Sequence, residues 1–78
     1  MAQMSWDQIL NRAIAKEQEA NSNYMALSKR VVHPGSRQML TELAREEQGH
    51  KEILEAWRDE KIQGTPPVHL PELGVAAK

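Results

Sequence analysis

The chain has 78 residues, a net charge of −1 and no cysteine. This length allows one small domain, which is marginally stable unless a metal ion, a partner chain or very good helix packing supports it. Without cysteine, the chain forms no disulfide bond, thiolate zinc site or iron–sulfur cluster. The charge argues against nucleic-acid binding, and no apolar run approaches the ~20 residues of a membrane span. Since the first residues also lack a signal-peptide pattern, we expect a cytoplasmic protein without nucleic-acid or membrane partners.

A first helix is predicted from about Trp6 to Val32. Good helix formers (Ala, Glu, Leu, Gln, Lys and Arg) dominate this part of the chain. Ser5 is a typical N-cap residue, and Gln8 completes a capping-box pattern. The sequence HPGS should end the helix, because Pro34 disfavours the helical conformation in the residue before it.

A second helix is predicted from an N-cap at Ser36 to about Gln63, where Gly64 can end it. The connection between the two helices is short, so they should pack antiparallel. The predicted fold is all-α: a helical hairpin over residues 1–64, followed by a flexible tail over residues 65–78.

Apolar residues recur at steps of three and four along both helices, which places them on one face of each. The apolar stripes consist of Trp6, Leu10, Ala13, Ala20, Tyr24, Leu27 and Val31 on the first helix and Leu40, Leu43, Leu54 and Trp57 on the second. Three polar residues interrupt the middle of these stripes: Glu17, Glu47 and His50. All three lie at similar distances from the turn, so antiparallel packing should bring them to one level.

This triplet predicts a metal site. Two carboxylates beside an imidazole are costly to bury without compensation, which a divalent cation supplies. Glu47 and His50 are three residues apart and point the same way from one helix. The donor set suits iron or manganese, and zinc can also bind. Di-iron four-helix bundles use a Glu from each of two helices and a Glu-x-x-His from each of the other two, so a homodimer would supply the complete set.

The residues Glu17 and Tyr24 and the sequence REEQGH at 45–50 resemble the ferritin-like superfamily, which includes the rubrerythrins and the encapsulated ferritins. The resemblance covers about residues 6–63. It implies two-helix chains that dimerise into a ferritin-like four-helix bundle with a di-iron ferroxidase centre across the interface. It further implies iron as the cofactor, with two ions per dimer interface.

The resemblance also implies a role for each matching residue. Glu17 and Glu47 would be metal ligands, with at least one of them bridging two irons, and His50 would be a terminal ligand. Tyr24 would lie near the metals and hydrogen-bond a ligand or handle an electron. Glu19 matches an acidic residue that guides ions inward in relatives, but Lys16 replaces its usual acidic neighbour.

The C-terminal sequence LPELGVAAK resembles the loading peptides of encapsulin cargo proteins. Leu73, Gly74 and Val75 would anchor the tail to an encapsulin shell, as a short extended peptide with apolar anchors can do. A hairpin cannot enclose a mineral core, so an iron oxidase of this size needs a separate container. The relatives' chains often continue into a helix that shapes a ring of dimers, and here only the tail follows Gly64.

Simpler interpretations remain open from the residues alone. Glu47 and His50 can be exposed residues of a wrongly phased helix, Tyr24 can be a plain core residue, and the tail can be disordered. We read His33 and His69 as non-ligands. The functional hypotheses are a ferroxidase, a rubrerythrin-like peroxide reductase, and a non-enzymatic helical assembly module.

Overall fold

The computed structural model describes residues 4–64 and 66–68. Within these residues the chain forms two α-helices and no strand: α1 spans Trp6–Ser28 and α2 spans Pro34–Asp59. Residues early in α1 contact residues late in α2, so the helices are antiparallel. The predicted all-α hairpin is confirmed. Neither helix in the described part of the chain combines the length and the apolar character needed to cross a membrane.

The start of α1 follows the predicted capping box. The Ser5 hydroxyl accepts a hydrogen bond from the Gln8 backbone N–H at 3.1 Å, and the Gln8 side chain accepts one from the Ser5 N–H at 2.8 Å. These reciprocal bonds satisfy two of the N–H groups that a helix start leaves unpaired. The helix ends at Ser28 rather than Val32. The chain needs the residues between Ser28 and Pro34 to reverse its direction.

The predicted N-cap of α2 at Ser36 is wrong, because the helix begins earlier. His33 is the N-cap, and its Nδ1 accepts a hydrogen bond from the Ser36 backbone N–H at 3.2 Å. Pro34 occupies the first turn of the helix, where a backbone N–H is not needed and its fixed φ suits the helix.

The predicted end of α2 at Gln63 is also wrong: the helix ends at Asp59. Lys61 adopts the left-handed conformation, with φ 58°, directly after the C-cap. The Lys61 N–H donates to the Arg58 carbonyl at 3.3 Å, and the Ile62 N–H donates to the Trp57 carbonyl at 2.9 Å. These are the two bonds of a Schellman motif, so Lys61 stands where glycine is most common.

The hydrophobic core lies near the open end of the hairpin, away from the turn. Its buried residues are Leu10, Ala13 and Ile14 of α1, Leu54 of α2, and Val68, with Trp6, Ile53 and Trp57 packed against them. The Trp6 indole N–H donates to the Ile62 carbonyl at 2.9 Å. Pro66 is also fully buried. The segment after α2 therefore packs on the hairpin as far as Val68.

The half of the hairpin near the turn leaves large apolar side chains exposed. Leu27 is 46% exposed, Met39 55% and Val32 86%. A single hairpin therefore leaves apolar surface uncovered near its turn. The predicted domain boundary after Gly64 stays a prediction, and Leu73, Gly74 and Val75 lie outside the described residues.

Candidate metal centre

Polar contacts join the two helices along one side of the hairpin, which we call the laced side. These contacts are Lys61 Nζ to Asp7 Oδ2 (3.3 Å), Arg58 Nη1 to Asn11 Oδ1 (2.9 Å), Lys51 Nζ to Gln18 Oε1 (2.8 Å) and Asn21 Nδ2 to the Ala44 carbonyl (2.6 Å). The partners within the helices follow one another at three, four or seven residues, the spacing of a single helix face, and Lys61 lies just beyond the end of α2. The laced side therefore fixes how α1 is aligned along α2.

This alignment places Glu17 opposite Glu47 and His50. The His50 Nδ1 lies 3.1 Å from the Glu17 Oε2 and 3.9 Å from the Glu47 Oε1. One ligand atom from each of the three residues lies within 4.8 Å of the others. The structure thus brings together all three residues that the sequence predicted to meet, and their role as metal ligands stays a prediction.

The three side chains are buried to different degrees. The Glu17 side chain is 10% exposed, that of Glu47 19% and that of His50 42%. The carboxylates therefore lie between the helices, while the imidazole reaches the surface. An ion can approach the group from the His50 side.

The hydrogen bond between His50 and Glu17 has a consequence for metal binding. With Glu17 ionised, its carboxylate can only accept, so the His50 Nδ1 carries the hydrogen in this contact. A metal ion bound at the same nitrogen would require the other neutral tautomer, with the hydrogen on Nε2.

The donor set fits a divalent transition-metal ion. Two largely buried carboxylates require compensating charge, which one cation supplies. Carboxylate oxygen and imidazole nitrogen together suit iron or manganese. Three ligands from one chain leave coordination positions open for further ligands.

The other predicted site residues lie outside this group. Tyr24 is half-buried on α1, seven residues beyond Glu17, or about 10 Å along the helix axis. Glu19 is exposed and pairs with Lys16 Nζ at 3.9 Å, so its charge is partly offset. On the laced side, the hydrogen bond to Asp59 raises the pKa of the Arg58 guanidinium.

Sequence reasoning missed Asn21. Its side-chain amide donates a hydrogen bond to the Ala44 carbonyl of α2, three residues before the candidate ligand Glu47. The signal was available in the spacing, because Asn21 lies four residues after Glu17 on the same helix face. Its partner is a backbone carbonyl, which no side-chain pattern reveals.

The fold is an all-α hairpin, and the triplet is a group of two carboxylates and an imidazole that could hold a metal ion. The family model described as Rubrerythrin matches residues 8–68, which include both helices and all three candidate ligands. The chain belongs to the rubrerythrin family, and thus to the ferritin-like superfamily. No curated protein and no solved structure matches the chain at a significant level.

Proposed function

We propose that the protein is a ferroxidase, which oxidises Fe(II) to Fe(III) at a di-iron site shared by two copies of the chain. The observation that carries the proposal is the triplet of Glu17, Glu47 and His50, whose ligand atoms lie within 4.8 Å of one another. This triplet is half of the ligand set of a di-iron four-helix bundle. Membership of the rubrerythrin family supports the same metal chemistry.

The second half of the ligand set would come from a second copy. On α2, steps of three and four link His50 to further apolar residues on one face, which we call the unlaced side: Met39, Leu43, Ile53 and Trp57. Met39 is 55% exposed, and the three other apolar residues are partly exposed. A partner packed here would cover apolar surface and place its own triplet near His50. A two-fold axis through this face gives such an arrangement.

The charges of this assembly balance. Two chains supply four carboxylates, and two Fe(II) ions carry four positive charges. Each Fe(II) substrate loses one electron, and dioxygen, the proposed acceptor, takes two electrons and two protons to form hydrogen peroxide. Carboxylate ligands favour the more highly charged Fe(III), because attraction between opposite charges increases with the charge on the ion.

The cellular setting is an extension of the proposal. The oxidised iron would be stored inside an encapsulin compartment in the cytoplasm, to which Leu73, Gly74 and Val75 would attach the protein. A ring of dimers would fit this role. Removal of residues 69–78 should abolish co-purification with a co-expressed shell protein and preserve iron oxidation, because the deletion spares the buried Val68. Unchanged co-purification would reject the tail's role.

The ferroxidase is tested with a matched pair of variants. Glu47→Gln removes a candidate ligand charge with little change in shape, while Glu52→Gln makes the same change at an exposed position of the same helix. Each protein is loaded with Fe(II) without oxygen, then mixed with oxygen, and Fe(III) is followed by absorbance. We expect Glu47→Gln to slow oxidation at least about 100-fold, and Glu52→Gln to behave as wild type. Equal rates in all three proteins would reject the site.

A rubrerythrin-like peroxide reductase is the second candidate, and the family match supports it as much as it supports the ferroxidase. The same di-iron site would then take peroxide as the oxidant and return to Fe(II) with an external electron donor. The chain has no cysteine and so carries no cysteine-bound iron centre of its own to deliver electrons. Rapid peroxide consumption with a chemical reductant, together with slow oxidation by oxygen, would favour this candidate over the ferroxidase.

A further inference from the structure

The hydrogen bond between Asn21 and Ala44 lies next to the ligand group on both helices. Asn21 is four residues beyond Glu17 on α1, and Ala44 is three residues before Glu47 on α2. The Asn21 Nδ2 donates to the Ala44 carbonyl at 2.6 Å. Ala44 is 1% exposed, so the bond meets α2 at a buried point of its backbone.

This bond differs from the other contacts of the laced side. The pair of Lys51 and Gln18 joins two flexible side chains, and its bond is exposed. Such a pair tolerates small shifts of one helix, because both side chains can adjust. The Asn21 amide is short, and the Ala44 carbonyl is part of the helix backbone. The bond therefore fixes the position of α1 along α2 more closely than the exposed pairs.

The position of α1 along α2 decides whether the ligands meet. A shift of one residue moves a side chain by about 1.5 Å along the axis and turns it by about 100°. Such a shift would break the 3.1 Å contact between the His50 Nδ1 and the Glu17 Oε2. A metal site tolerates little displacement of its ligands, which must be held by surrounding groups.

We propose that Asn21 is a positioning residue of the metal centre, an inference that rests on the metal site of the proposed function. Its amide holds Glu17 opposite Glu47 and His50 and so sets the metal affinity without touching the ion. Replacement of Asn21 should leave both helices folded, so its effect on the metal site can be measured separately. Ala44 lies inside α2, so its carbonyl keeps the helical bond from the Gln48 N–H when Asn21 is replaced. Leucine also has a higher helix propensity than asparagine.

The test is a Co(II) titration of the full chain, followed by visible absorption, which reports affinity and coordination geometry together. Asn21→Leu removes the amide, and Gln18→Leu is the matched control, because it removes an exposed contact of the laced side. We expect Asn21→Leu to weaken Co(II) binding at least about tenfold and to change the Co(II) spectrum. Gln18→Leu should stay within about twofold of wild type and keep the wild-type spectrum.

Two further variants make the result decisive. Asn21→Ala replaces Asn21→Leu if leucine prevents folding, as judged by circular dichroism. Asn21→Gln keeps the amide donor on a longer side chain, and we expect it to recover part of the lost affinity. An affinity and spectrum in Asn21→Leu equal to wild type would overturn the positioning role alone. Wild-type protein that binds no Co(II) would overturn the metal site and the positioning role with it.

Discussion

The laced side and the unlaced side of the hairpin use different interactions for different purposes. Polar contacts along the laced side join α1 to α2 within one chain. The unlaced side carries Met39, Leu43 and His50, which are exposed or partly exposed. Exposed polar pairs contribute little stability, whereas burial of apolar surface contributes about 25 cal/mol for each Å². The laced side thus aligns the helices within a chain, and the unlaced side would supply the energy of the proposed dimer.

The largest effect is expected from a charge on the unlaced side. Met39→Glu should weaken the proposed dimer by about 2–4 kcal/mol, because the interface would bury an unpaired carboxylate. Met39 is 55% exposed in the single chain, so the hairpin itself should stay folded. Analytical ultracentrifugation across a concentration series measures the shift.

The matched control places the same charge on the laced side. Gln18→Glu should leave the dimer unchanged, since the new carboxylate faces Lys51. An equal loss of dimer in both variants would show that the two sides do not differ in their role in dimerisation. A wild-type protein that is monomeric with and without Fe(II) would reject the proposed dimer itself.

A smaller effect is expected where the laced side ends. Lys61→Gly should stabilise the fold by about 0.5–1 kcal/mol, because glycine adopts the left-handed conformation without the strain of a side chain. The lost contact of Lys61 with Asp7 is exposed and should cost less than this gain. Urea unfolding measures the difference. Lys61→Ala is the control: it loses the same contact, keeps the strain, and should be no more stable than wild type.

The smallest effect is expected within the laced side itself. A double-mutant cycle of Gln18→Ala and Lys51→Ala should give a coupling energy below about 0.5 kcal/mol, as for other exposed pairs. Urea unfolding of the four proteins gives this value. A coupling above about 1.5 kcal/mol would show that the laced side stabilises the fold as well as aligning it.

The sequence predicted the hairpin and the meeting of three residues because both depend on helix periodicity. Glu17, Glu47 and His50 interrupt apolar stripes, and that interruption is visible in one sequence. The ends of the helices were less predictable. A histidine nitrogen is an uncommon cap acceptor, and the left-handed Lys61 ends α2 before Gly64 can. Asn21 was missed because its partner is a backbone carbonyl.

The hydrogen bond between the His50 Nδ1 and the Glu17 Oε2 occupies the place that a metal ion would take between the two side chains. A proton already links the two side chains that a metal ion would link, so little of the binding energy goes into rearranging them. In a neutral imidazole the hydrogen of Nδ1 would move to Nε2, so the ring would change tautomer and release no proton. The hydrogen bond therefore keeps two of the candidate ligands side by side before any ion binds.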